Sequence, residues 1–136
     1  AEAKLSPELR NEALYYRAKA YTKQKADKKA MEDYRELAKD TRNSYGAEAK
    51  YQVAQSLYDA KEYAAAEKEL LNYIEQSTPH AYWLARSFIL LSDVYHATGK
   101  DLDARQYLLS LQQNYQGNDD IESMIESRLS KLKVEN

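Results

Sequence analysis

Three small residues, Ala18, Ala54 and Ser92, stand 36 and 38 positions apart, and the same order of side-chain sizes follows each one. Three positions on come Tyr21, Leu57 and Tyr95. Twelve positions after each small residue comes an alanine: Ala30, Ala66 or Ala104. Four beyond these sit Tyr34, Leu70 and Leu108, and three beyond those sit Leu37, Tyr73 and Leu111. A period of this length means that each unit is one supersecondary element. Such a unit cannot bury its apolar face alone, so its neighbours must stack on it.

The punctuation says what the unit is. Gly46, Gly99 and Gly117, with Pro7 and Pro79, are the only residues placed to interrupt regular structure, and the tracts between them are rich in Ala, Leu, Glu, Lys and Gln. Ser6-Pro7 and Thr78-Pro79 each read as a cap followed by proline in the first helical turn. Asp119 and Glu122 have capping-box spacing, and Ile121, Met124, Ile125, Leu129 and Leu132 fall on one helical face. No stretch alternates with period two for long enough to make a strand. The expected fold is all-α. A small residue on the first helix and an alanine on the second let two antiparallel helices approach closely, while the large residues fill the groove beside them.

At these residues the chain resembles the tetratricopeptide repeat family. Gln55 to Ala66 is similar to its helix–turn–helix core, and Ser92 to Gly99 matches with Gly99 at the turn glycine. The resemblance covers about residues 11 to 116 and implies a right-handed solenoid of about three helix pairs in a single domain over 1–136. The repeats would run 11–45, 47–80 and 85–116, with a capping helix over 119–133. Three positions depart from the pattern: Arg17 replaces a leucine, Lys25 the turn glycine, and Lys50 a large apolar residue. Repeats longer than 34 residues and the segment Tyr73 to Pro79 resemble bacterial cell-envelope members, such as TolA-binding periplasmic proteins. That subtype implies a periplasmic or envelope-associated address, and without it the expected address is cytoplasmic.

Composition removes several functions. The chain has 20 Lys/Arg and 22 Asp/Glu, a balance that gives no basis for a nucleic-acid or membrane-surface role. The charge is polarised, with 11 basic against 8 acidic residues over 1–45 and 9 against 14 over 46–136. Lys23, Lys25, Lys28 and Lys29 form the densest basic cluster and read as a solvated turn. Without cysteine there is no disulfide or thiolate site. The longest apolar run, Phe88 to Leu91, is too short to span a bilayer, and no signal peptide is visible. The start at Ala1, in a polar segment, reads as an excised domain or a processed chain. No two glycines are close enough to cradle a phosphate. His80 and His96 are too far apart for a helical zinc pair, and no serine sits in a nucleophile elbow. The expectation is a protein without catalytic residues, metal, cofactor or small-molecule substrate.

Tyrosine is the compositional outlier, 13 against one Phe and one Trp. Its ring packs while its hydroxyl seeks a partner, which suits recognition surfaces as well as helix seams. Tyr21, Tyr34, Tyr73 and Tyr95 hold core positions of the repeat. The resemblance implies that first helices line a concave face, and on this chain the expected partner-binding residues are Tyr15, Lys19, Tyr51, Gln55, Tyr58, Arg86, Ile89, Asp93 and His96. The family's carboxylate clamp would fall on Tyr15, Lys19, Gln52, Arg86 and Leu90. Only Arg86 keeps a basic residue in place there, so chaperone-tail binding is not expected. The reading is a module that holds a protein or peptide segment in a concave groove. The alternative is a structural or self-associating segment of a longer solenoid.

Overall fold

The computed structural model describes residues 6–76 and 78–132. Among these the chain is all-helical, with α1 (Pro7–Lys23), α2 (Asp27–Leu37), α3 (Ser44–Asp59), α4 (Tyr63–Glu75), α5 (Ala81–Ala97), α6 (Asp101–Asn114) and α7 (Ile121–Leu129). Each odd-numbered helix from α1 to α5 packs against the even one that follows it and against the next odd one. Each even helix also touches the next odd one. One packing rule therefore operates three times, and α7 lies on α5 and α6 as α5 lies on α3 and α4.

The repeated residues are where this packing happens. Ala18, Ala54 and Ser92 are no more than 1% exposed, and Ala30, Ala66 and Ala104 no more than 4%. Tyr34, Leu70, Leu108, Leu37, Tyr73 and Leu111 are buried with them, as are Leu57 and Tyr95, while Tyr21 is half-buried. A methyl group at each close approach lets large neighbours interlock without voids. The two polar intrusions into the pattern are neutralised across each pair. The Arg17 guanidinium donates to both oxygens of buried Asp33 on α2, at 2.8 and 2.6 Å. Lys50 reaches Glu69 on α4 at 2.8 Å. Each charge thus reaches an opposite one on the partner helix of its own pair.

The turns inside the pairs repeat as closely as the core. The backbone N–H groups of Ala26, Glu62 and Lys100 donate to the carbonyls of Tyr21, Leu57 and Tyr95 at 2.8, 2.9 and 2.7 Å. Those of Lys25, Lys61 and Gly99 donate to Thr22, Tyr58 and His96 at 3.1, 2.9 and 3.1 Å. This is a Schellman closure, which needs a left-handed residue just past the helix. That residue has φ of 59° at Lys25, 62° at Lys61 and 80° at Gly99. Only the third turn uses glycine, so two lysines hold a conformation that costs an L-residue about 1–2 kcal/mol. Glycine loses more entropy on folding, which offsets part of that cost. Lys61→Gly is therefore expected to raise unfolding stability by about 0.5–1 kcal/mol in urea titration. A decrease would show that the turn closes differently.

Between pairs the sequence reading needs correction. Ser6 caps α1 as expected, its hydroxyl accepting from Leu9 N–H at 3.2 Å, and Pro7 opens the helix. Thr78-Pro79 does not act likewise, because α5 starts at Ala81. The Thr78 hydroxyl instead donates to the Thr41 carbonyl at 2.9 Å, and His80 Nε2 sits 2.8 Å from the Arg42 carbonyl. These bonds tie the α4–α5 connection to the α2–α3 connection. Asp119 accepts from Ile121 N–H at 3.0 Å, but with Ile121 opening α7 the reciprocal Glu122 bond of a capping box does not form. Gly46 does not interrupt the chain either, since it lies within the first turn of α3. The last helix is shorter than the expected 119–133: α7 runs Ile121–Leu129, so Leu132, expected on its apolar face, lies past its end, and Lys133 is outside the described residues.

Candidate functional site

The nine expected partner-binding residues fall along the successive first helices α1, α3 and α5, and the structure separates them into distinct environments. At one end, the Tyr15 hydroxyl donates to Glu48 Oε1 at 2.9 Å and Lys19 Nζ lies 2.7 Å from Glu48 Oε2. The Lys19 ammonium also sits 5.0 Å from the Tyr15 ring centroid. Burial raises the Tyr15 pKa, and the bond to Glu48 raises it further. Burial pulls the Lys19 pKa down, but Glu48 and Tyr15 outweigh it and the net shift is upward. Three residues from two helices therefore form one closed polar knot.

The middle of the face is a strut between α3 and α5. Tyr51 is only 6% exposed, and its ring lies 5.6 Å from Trp83. Its hydroxyl donates to Gln55 Oε1 at 2.9 Å and accepts from Arg86 Nη2 at 3.0 Å. Arg86 Nη1 donates to the Tyr82 hydroxyl, which donates to Asp120 at 3.0 Å. The guanidinium lies over the Tyr51, Tyr82 and Trp83 rings, at 4.9, 5.8 and 5.8 Å from their centroids. Burial raises the Tyr51 pKa, with Arg86 pulling against it. Tyr51 and Arg86 thus fasten helices to each other. Ile89 goes further inward: at 1% exposure it packs in a cluster with Leu108, Leu111, Ile121 and Ile125.

The other four residues meet. Gln55, Tyr58, Asp93 and His96 line one cleft of about 350 Å³, whose remaining wall comes from Ser92, Arg128, Lys131 and Leu132. Arg128 Nε and Nη2 donate to the two Asp93 oxygens at 3.3 and 3.4 Å. Burial raises the Asp93 pKa, and the Arg128 bond opposes it, aided by the charges of Lys131 and His96. His96 Nδ1 lies 2.8 Å from Asp101 Oδ1, and Gln55 Nε2 donates to Asp59 at 2.9 Å.

Ser92, His96 and Asp101 carry the residue types of a hydrolytic relay, but the geometry does not join them. The Ser92 hydroxyl is 1% exposed and donates to the Ile89 carbonyl at 2.6 Å. A nucleophile must instead hydrogen-bond its base. Among the described residues no group of His, Cys, Asp and Glu could hold a metal ion, and no helix is long and apolar enough to cross a membrane.

Sequence reasoning missed Arg128 and Lys131, although a signal was present. Ser130 stands 38 residues after Ser92, the same step that separates Ser92 from Ala54. The same step carries Asp93 to Lys131 and Trp83 to Ile121. α7 therefore continues the series of first helices, and Arg128 on it, with Lys131 and Leu132 just past its end, completes the wall of the cleft. No family model matches the chain, and neither a curated protein nor a solved structure does so.

Proposed function

We propose that the chain is a tetratricopeptide-type solenoid that binds an extended or helical protein segment without catalysis. The segment would occupy the cleft between α3, α5 and the end of α7. The observation that carries this reading is the convergence of Gln55, Tyr58, Asp93 and His96 with Arg128 and Lys131 in one open polar cleft. Support for the architecture comes from the threefold recurrence of turn bonds and helix contacts. The cleft offers Tyr58 and Arg128, residue types enriched at binding hot spots, with polar groups of both signs around them. Tyr15 and Tyr51 are not direct contacts in this reading, because neither lines the cleft: Tyr51 is buried between α3 and α5, and Tyr15 lies at the other end of the face beside Glu48.

Peptides selected on the intact protein from a random display library test this directly. Tyr58→Ala with His96→Ala is expected to weaken the selected peptides at least about 10-fold and to leave the helical circular dichroism unchanged. Peptides that bind the double variant as tightly as the parent would place the site elsewhere.

A further inference from the structure

Among the described residues, α1 leaves open a surface whose first half, around Leu9 and Ala13, is covered at the three equivalent places, whereas at the position of Ala20 the second repeat also has an exposed residue, Ser56. Leu9 and Tyr16 are 52% and 59% exposed, and Ala13 and Ala20 complete an exposed stripe along the same face. Moving by the repeat spacing, Leu9 corresponds to Tyr45, Trp83 and Ile121. Each of these rests on the preceding first helix. The Tyr45 ring lies 4.8 Å from Tyr15, Trp83 lies 5.6 Å from Tyr51, and Ile121 shares a buried cluster with Ile89. Ala13 likewise corresponds to Ala49, Ser87 and Ile125, which are all at most 1% exposed. The α1 stripe thus has the pattern of a helix-packing seam on which no helix lies among the described residues.

We infer that a second copy of this chain covers the stripe, α1 against α1 in antiparallel orientation about a two-fold axis. The stripe is self-complementary in that arrangement. Leu9 comes level with Ala20 of the other copy, and Ala13 comes level with Tyr16, so each large side chain meets a small one. Charge agrees along one edge, where Glu8 comes beside Lys23 of the other copy, and the two-fold axis generates that pair twice. On the opposite edge Arg10 and Arg17 are already held by Glu36 and Asp33 of their own α2, at 3.2 and 2.6 Å. That pairing limits their mutual repulsion. The seam is separate from the cleft between α3, α5 and α7.

Sedimentation equilibrium of the intact chain is expected to show a concentration-dependent dimer. Leu9→Glu with Tyr16→Glu should weaken it at least about 100-fold while helical content and peptide binding in the cleft stay unchanged. Glu8→Lys alone should weaken the dimer, and adding Lys23→Glu should restore it. A monomer at every concentration, a dimer that survives both glutamates, or a charge reversal without effect would each overturn the inference. A failure of peptide binding alone leaves the dimer result standing, so the two readings fail separately.

Discussion

Gly46→Ala is expected to destabilise the protein by about 3 kcal/mol, against the direction that helix propensity alone would give. Gly46 is the third residue of α3, and alanine in place of glycine in a helix ordinarily gains about 1 kcal/mol. A Cβ at this position would lie 1.8 Å from the Asp40 carbonyl oxygen and 2.8 Å from that of Leu37. Both neighbours are backbone, at the end of α2 and the turn after it, so no rotamer change can relieve the contact. The same loop is held by Asn43, which donates from Nδ2 to the Asp40 carbonyl at 3.0 Å and accepts from Gly46 N–H at 2.8 Å. The first turn of α3 must therefore move away from α2, carrying Ala47 and Ala49 out of sites where neither is exposed. Urea unfolding should show the loss, and the thermal midpoint should fall by roughly 10 °C. A neutral or stabilising result would mean that α2 and α3 do not approach this closely.

The prominence of Gly46 in that prediction shows where the sequence could be read and where it could not. The five repeated positions were legible because each reports a local requirement that recurs at a fixed period, namely a small contact on both helices of a pair with large residues beside it. Burial at all but Tyr21 follows from that logic. The turns were placed by the repeat register, but only Gly99 declared their left-handed backbone through its residue type. Lys25 and Lys61 adopt the same left-handed backbone because the two flanking hydrogen bonds and the next helix impose it, overriding residue preference. Gly46 looked like a chain break because a contact between backbones leaves no periodic trace.

The inner face was legible as a column of residues but not as a surface. Periodicity puts Tyr15, Tyr51 and Ile89 on the same side of successive helices, yet it does not say what the next helix places over them. Glu48, Trp83 and Ile121 do so in turn. The column remains open where Tyr58 and His96 face the end of α7. Reading that end as a cap hid the contribution of Arg128 and Lys131, since a cap is expected to present only a polar outer surface.

The ion pair in the open part of the face should reveal itself through pH. Asp93 is largely buried, and burial raises its pKa above the value of an unfolded chain, with Arg128 holding the increase down. Between the unfolded and folded pKa values the native state binds more protons, so stability contributed by this group falls as pH rises through that interval. Above the interval the buried charge carries its full cost, and below it the cost disappears. Arg128→Met removes the two bonds at 3.3 and 3.4 Å, which moves the folded pKa further up and enlarges the cost of the ionised form. The variant is expected to be less stable than the parent at neutral pH by about 1–2 kcal/mol, below the full penalty for breaking a buried pair because both side chains retain some solvent. On acidification through the carboxylate range the difference should narrow, since a neutral Asp93 no longer needs its partner. Asp93→Asn combined with Arg128→Met should recover most of the loss and flatten the pH dependence. Urea titrations at a series of pH values measure all three curves. A gap between parent and Arg128→Met that stays constant with pH would mean that lost packing of the arginine stem, not the carboxylate it faces, sets the energetics of the cleft.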